Sequence, residues 1–252
     1  MDTANRPPRS RGIYLLPNLF TTGGLFAGFY AIIAASVGDY SAACIAVVVA
    51  GVLDGLDGRI ARMTGTQSDF GMQYDSLADL VSFGMAPALV MYHWSLVNLK
   101  DISPMAGKFG WSMAFLYAAC AALRLARFNT QTGTVDKRWF VGLASPAAAA
   151  LMVSFIWVCS DNALSGATMK WIAPVITAFA ALMMVSRFRF FSFKTLPWGD
   201  KVPFTAILVA VGVFVALALN PPAMLFLISL GYACSAPIQW LWQRRKRAPV
   251  ED

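Results

Sequence analysis

Long apolar runs, separated by short polar or Gly- and Pro-containing breaks, set the pattern of this chain. They fall at about residues 13–37, 41–62, 70–97, 111–127, 141–159, 171–185, 202–219, and from the Asn220-Pro221-Pro222 turn to about 242. Most are long enough for a transmembrane helix, which needs roughly 17–25 residues. The breaks carry helix-ending residues, as in Gly38-Asp39-Tyr40 after the first run and the polar loops at 98–108 and 129–138. Pro17-Asn18 predicts the start of the first helix, because proline suits a first turn and asparagine a cap. Gly23, Gly24 and Gly28 allow that helix a close neighbour. Pro87 predicts a kink in the third helix. The pattern predicts an all-α, polytopic membrane helix bundle of about eight transmembrane helices. A basic arm covers 1–12, a single bundle 13–243 and a basic tail 244–252. The first run is too long for a secretory signal core and no cleavage site follows it, so it reads as a retained span. The two halves show no matched broken helices of the inverted-repeat transporter kind.

Composition agrees with the pattern. The chain of 252 residues is 58% hydrophobic and only 13% charged, where soluble domains carry about 25% charged residues. The net charge of +7 raises the question of nucleic acid, but the bases lie in short clusters between apolar runs. Arg6, Arg9 and Arg11 form one cluster, and Lys137 and Arg138 join Arg124 and Arg127 in another. Arg187, Arg189 and Lys194 form a third, and residues 244–247 a fourth. That distribution suits loops facing the cytoplasm and anionic lipid, with no nucleic-acid partner. Eight spans put both termini on one side. Every Lys and Arg except Lys100, Lys108 and Lys170 then falls on that side, so the expected location is the cell (inner) membrane with both termini cytoplasmic. Trp94, Trp111 and Trp171 fall near the opposite boundary, where interface anchors belong. Cys44, Cys120, Cys159 and Cys234 stand singly in apolar runs and read as small buried hydrophobes.

One stretch departs from this background. Asp54 and Asp57 are three residues apart at the end of the second run, and Asp75 and Asp79 are four apart at the start of the third. Both spacings place the pair on one face of a helix. Carboxylates at membrane depth are costly unless paired, protonated or metal-bound. Helix-end acids paired with Arg59 and Arg62 are the plain alternative, but four acids in two facing pairs, with small residues between, favour a site. Oxygen-only ligation selects hard ions, one or two Mg²⁺ or Mn²⁺, over zinc. The single histidine, His93, lies at the far end of the third run and reads as interfacial. Mg²⁺ usually shares its shell with phosphate oxygens, so a diphosphate ligand is the natural partner. Gly55, Gly58 and Ala61 leave room for it beside the acids, and Arg62 is placed to contact a phosphate.

Asp54, Asp57, Gly58, Ala61, Arg62, Gly71, Asp75 and Asp79 fit D-x2-D-G-x2-A-R-x8-G-x3-D-x3-D without a departure. This resembles the signature of the CDP-alcohol phosphotransferases. Pro17-Asn18-Leu19-Phe20-Thr21, residues 75–84, Arg124-Leu125-Ala126-Arg127-Phe128-Asn129 and Ser186-Arg187-Phe188-Arg189 resemble that family's phosphatidylserine synthase branch. The resemblance implies a homodimeric membrane enzyme with a six-helix core, to which the eight-helix pattern adds two. It implies transfer of a phosphatidyl group from CDP-diacylglycerol to an alcohol, with CMP released and L-serine as acceptor. By position, Asp54, Asp57 and Asp75 would ligate metal, and Asp79 would ligate a second ion or act as general base. Asp57, Gly58, Ala61, Arg62 and Gly71 would form the nucleotide surface. Arg124, Arg127, Asn129 and Arg187 are candidates for an acceptor or phosphate clamp, against the plainer reading of these bases as lipid-facing anchors. Glycerol 3-phosphate or inositol phosphate is the alternative acceptor and would demand more cations at the site. A cation transporter is the alternative from another class, disfavoured because the acids cluster at one end of the bundle.

Overall fold

The computed structural model describes residues 12–66, 68–130, 139–191 and 204–247. The basic arm at 1–11, Lys137, Arg138, Lys194 and residues 248–252 lie outside this set. The chain is built from helices α1 (Gly12–Ser36), α2 (Tyr40–Thr64), α3 (Asp69–Asp79), α4 (Ala86–Trp94), α5 (Pro104–Thr130), α6 (Ser145–Asp161), α7 (Ile172–Val185), α8 (Phe204–Leu219) and α9 (Pro221–Arg247). The stretches Pro17–Ser36, Tyr40–Thr64, Pro104–Thr130 and Pro221–Trp240 are long and apolar enough to cross a membrane. Large apolar side chains are exposed around the bundle, among them Phe26, Phe115, Val175 and Phe214. Such an exterior is stable only against lipid. This is an integral membrane protein.

The first turn follows the sequence. Gly38 takes the left-handed φ of +86°, and the side chain of Asp39 caps α2 by accepting from the Ala42 N–H at 3.0 Å. α1 and α2 then pack along small faces, with Ala27, Ala31, Ala34 and Ala35 against Ala43, Ala46 and Ala50, all buried. Small residues let two backbones approach where lipid offers no hydrophobic drive for association. Cys44, Cys120 and Cys159 are buried free thiols in this core.

Several boundaries differ from the pattern. Pro17 lies inside α1 rather than at its start. The apolar residues before it continue the helix, because in an apolar setting the backbone satisfies itself best that way. α5 begins at Pro104, well before 111, and α9 carries the basic residues 244–247 as helix instead of a separate tail. The kink expected at Pro87 takes the form of a π-helical segment, Leu80–Met85, joining α3 to α4. Proline cannot donate to the carbonyl four residues before it. That carbonyl belongs to Phe83, and it accepts from the Tyr117 hydroxyl at 3.1 Å. Trp94 is no interface anchor: it is buried, with its ring edge-on to Phe155 at 5.7 Å between centroids. Trp111 and Trp171 are exposed.

The fold is also not wholly helical. Residues Trp139–Val141, expected to open a helix at 141, form a strand paired antiparallel with Arg189–Phe191, with Phe140 opposite Phe190. β-branched and aromatic residues favour this ribbon. Gly142 ends it at φ +83°, where a Cβ would lie 2.2 Å from the Met184 carbonyl oxygen.

A comparable close approach binds α1 to the π segment. The Ser82 hydroxyl donates to the Gly24 carbonyl at 3.0 Å, and a Cβ on Gly28 would sit 2.7 Å from the Ser82 Cα. Gly28→Ala is expected to cost about 1–3 kcal/mol by overpacking. It should lower the midpoint of thermal unfolding in detergent, and an unchanged midpoint would show that α1 can move away freely.

Candidate active site

All four acids meet at one end of the bundle. The last turns of α2 carry Asp54 and Asp57 on one face, and the turn into α3 brings the Asp75 carboxylate against them. The return is tight. Gly65 closes α2 in the left-handed conformation, and Ser68 caps α3 by accepting from the Gly71 N–H at 3.0 Å. One carboxylate oxygen from each of Asp54, Asp57 and Asp75 lies within 4.8 Å of the others. Asp57 is buried, while Asp54, Asp75 and Asp79 are half-buried. Asp79, one turn further along α3, shares with the other three a small space of about 10 Å³ closed by Gly24, Ala50 and Ser82. That is room for one water or ion.

The donor set fits a hard divalent cation. It is all oxygen, and oxygens around Mg²⁺ lie at most about 4.2 Å apart, given bond lengths of about 2.1 Å. Closing the three onto an ion therefore needs only small side-chain rotations. Without a cation, three carboxylates at this separation repel one another in a setting that screens poorly.

A cavity of about 410 Å³ opens from the cluster. Asp57, Gly58, Ala61 and Arg62 of α2 line it, as do Gly71 and Asp75 of α3. All five residues proposed from the sequence for a nucleotide surface thus share one space. Gly58 keeps the floor low beneath the Arg62 guanidinium, whose Nη1 would be 3.8 Å from a Cβ there. At Gly71 a Cβ would stand 3.1 Å from Ser68 Oγ and 3.6 Å from Asn18 Oδ1, so glycine preserves the polar wall. Gly55 differs from expectation: it lies off the cavity, with nothing near its Cβ position.

Sequence reasoning missed part of this wall. Thr21 of α1 is buried and donates its hydroxyl to Asp57 Oδ2 at 2.8 Å. Asn18, Thr66, Ser68 and Asp69 also line the cavity. Asn18 and Thr21 belong to the stretch Pro17 to Thr21, so a signal was present, but an apolar run gives no hint that its hydroxyl reaches a carboxylate 36 positions away.

The candidate clamp residues separate. Arg124 is the cation acting on Asp79 among the described residues. It also donates to Ser145 Oγ at 2.8 Å and lies over the Phe128 ring, 6.0 Å from its centroid. Asn129 donates to Ser76 Oγ at 2.9 Å, tying the end of α5 to α3. Arg127 is half-buried one turn from Arg124. Arg187 lies elsewhere, lining a second cavity between the α7–β2 segment and α9.

Together, the bundle and its acids define an integral membrane protein with a site suited to a hard divalent cation and a phosphate-bearing ligand. Comparison with known proteins goes further. Residues 14–183 match the CDP-alcohol phosphatidyltransferase family. A CDP-diacylglycerol–serine O-phosphatidyltransferase of Helicobacter pylori is 38% identical over 91% of this chain and 92% of its own length. One from Mycobacterium leprae is 33% identical over 91% of this chain and 77% of its own. An archaetidylserine synthase of Methanothermobacter thermautotrophicus is 33% identical over 69% of each. The chain belongs to the CDP-alcohol phosphatidyltransferase family, whose members generally depend on divalent cations.

Thr21→Val removes the hydroxyl held against Asp57, and hydrogen bonds to charged groups contribute about 1.5–3 kcal/mol. The variant is expected to need roughly tenfold or more Mg²⁺ or Mn²⁺ for half-maximal thermal stabilisation, with Thr21→Ser near wild type. Equal metal titrations for all three proteins would remove Thr21 from the site.

Proposed function

We propose that this protein transfers the phosphatidyl group of CDP-diacylglycerol to the hydroxyl of L-serine, giving phosphatidylserine and CMP. The observation that carries the reading is the convergence of Asp54, Asp57 and Asp75 at the mouth of a cavity floored by Gly58. The names of the relatives support the same reaction.

In this reading Asp54, Asp57 and Asp75 hold one or two Mg²⁺ or Mn²⁺ ions, with Asp79 available to a second. Bound there, the cation would neutralise the diphosphate and improve CMP as a leaving group. Gly58, Ala61 and Gly71 admit the nucleotide close to the backbone, and Arg62 offers paired N–H donors to a phosphate oxygen. Asp79 takes the proton of the serine hydroxyl as that oxygen attacks phosphorus in line. Arg124, beside Asp79, receives the serine carboxylate, with Arg127 as a neighbouring cation. A phosphorylated acceptor carries more negative charge and calls for more cations. The names of the relatives favour serine over glycerol 3-phosphate or inositol phosphate.

The bundle is read as eight spans: α1, α2, the α3–α4 rod, α5, α6, α7, α8 and α9. The family match ends at residue 183, so α8 and α9 are the two additions to a six-helix core. One catalytic bundle covers 13–243 and assembles as a homodimer, with both termini and the site on the cytoplasmic face. Single cysteines at Lys170 and Arg245 should label from opposite faces of sealed vesicles. Labelling from one face would overturn that orientation. Light scattering in detergent distinguishes dimer from monomer.

The reaction is tested with CDP-diacylglycerol, labelled serine and Mg²⁺ or Mn²⁺ in membranes. Serine-dependent CMP release, abolished by chelation, is expected. No release with any alcohol would sink the enzyme reading, and release with glycerol 3-phosphate but not serine would sink only the acceptor. Asp79→Asn should lose turnover, by roughly a hundredfold or more if it is the base, while still binding CDP-lipid. Full activity would remove Asp79 as the base.

A further inference from the structure

The second cavity has a chemistry of its own. It measures about 670 Å³ and lies between the segment joining α7 to β2 and the last turns of α9. Arg187 and Arg189 stand two residues apart on that segment, and both line the cavity. Both are exposed. Across from them, Gln239 and Gln243 occupy successive turns of one α9 face, with Ala236 a turn below leaving room. The side wall is Trp240, packed edge-on against Phe188 at 5.7 Å between centroids. Among the described residues its lining includes no Asp or Glu and shares no residue with the acidic site.

Depth in the membrane decides what such a cavity meets. The apolar, membrane-crossing part of α9 ends at Trp240, and Gln243 is followed by the basic residues 244–247. The cavity therefore opens where hydrocarbon gives way to headgroups, which is where tryptophan and arginine anchor. Arginine recognises phosphate oxygens through paired N–H donors, and the two carboxamides add neutral donors beside them. A free soluble anion would use only the polar half of this space. A phospholipid uses both halves: its phosphodiester meets the arginines and amides, and its glycerol and upper acyl chains lie on Trp240 and Phe188.

We propose that this cavity is a binding site for the phosphodiester headgroup of an anionic glycerophospholipid, separate from the acidic site. The test is native mass spectrometry of the full-length protein released from nanodiscs containing phosphatidylglycerol and phosphatidylcholine. Wild-type protein should retain phosphatidylglycerol preferentially. A basic residue at an anionic surface contributes about fivefold in affinity, so Arg187→Ala/Arg189→Ala should reduce that retention by roughly tenfold or more. Gln239→Leu/Gln243→Leu, which alters the opposite wall and leaves the ribbon intact, should reduce it in the same direction. Asp75→Asn should leave it unchanged. Unchanged retention in both double variants would overturn the proposal, as would its loss in Asp75→Asn, which would place the lipid in the acidic cavity. Displacement by millimolar inorganic phosphate would overturn the lipid and assign a free phosphate. A raised KM for serine in the arginine variant, with lipid retention intact, would return Arg187 to the acceptor clamp.

Discussion

Carboxylates that repel one another are held together at the edge of a hydrocarbon slab, and most of the local structure answers to that. Asp54, Asp57 and Asp75 bring oxygens within 4.8 Å of each other, a separation at which like charges are strongly unfavourable when water is scarce. Such a cluster persists only if the surrounding backbone over-determines it. Here the means are short and local. Alanine faces clamp α1 to α2, Ser82 ties the π segment to Gly24, Ser68 fixes the entry of α3, and Thr21 holds Asp57 from the side. Ser82, Ser68 and Thr21 each act within a turn or two of an acid.

The π segment shows how a defect in regular structure becomes a fixed point. Pro87 leaves the Phe83 carbonyl without an α-helical donor, and Tyr117 supplies one from α5. Two consequences follow at once. The α3–α4 rod is joined to α5 by a buried hydroxyl, and Asp79 sits at the last α-helical position before the helix widens. Its side chain lies among the other acids and within reach of the Arg124 charge.

The acids themselves were legible in the sequence because charge in an apolar run is conspicuous and helical spacing is rigid. The same rigidity made Gly58, Ala61, Arg62 and Gly71 fall where the pattern put them, on one cavity. Other features left weaker traces. A three-residue ribbon is too short for a period to show, so residues near 140 read as the start of a helix. Thr21 looks like any hydroxyl in a membrane helix until Asp57 is beside it. Trp94 has the composition of an interface anchor, yet its neighbours bury it. Gly55 shares its residue type with Gly58, yet it lies off the cavity that Gly58 lines. In each case the deciding information lay in which helix packs on which face, a property of the pairing and not of either segment.

The order in which the chain is made gives the Thr21–Asp57 bond a further meaning. Every acid of the cluster, and the hydroxyl that steadies it, lies between residues 21 and 79, so these parts enter the membrane first. Arg124, the cation beside Asp79, is synthesised some forty-five positions later by the numbering. During that interval the acids lack Arg124, and Arg62, which lines the same cavity, is already in place. Thr21, the alanine faces of α1 and α2 and any bound cation are then the means of keeping α1, α2 and α3 together. The bond that steadies the acidic cluster is thus also among the first tertiary contacts this chain can make.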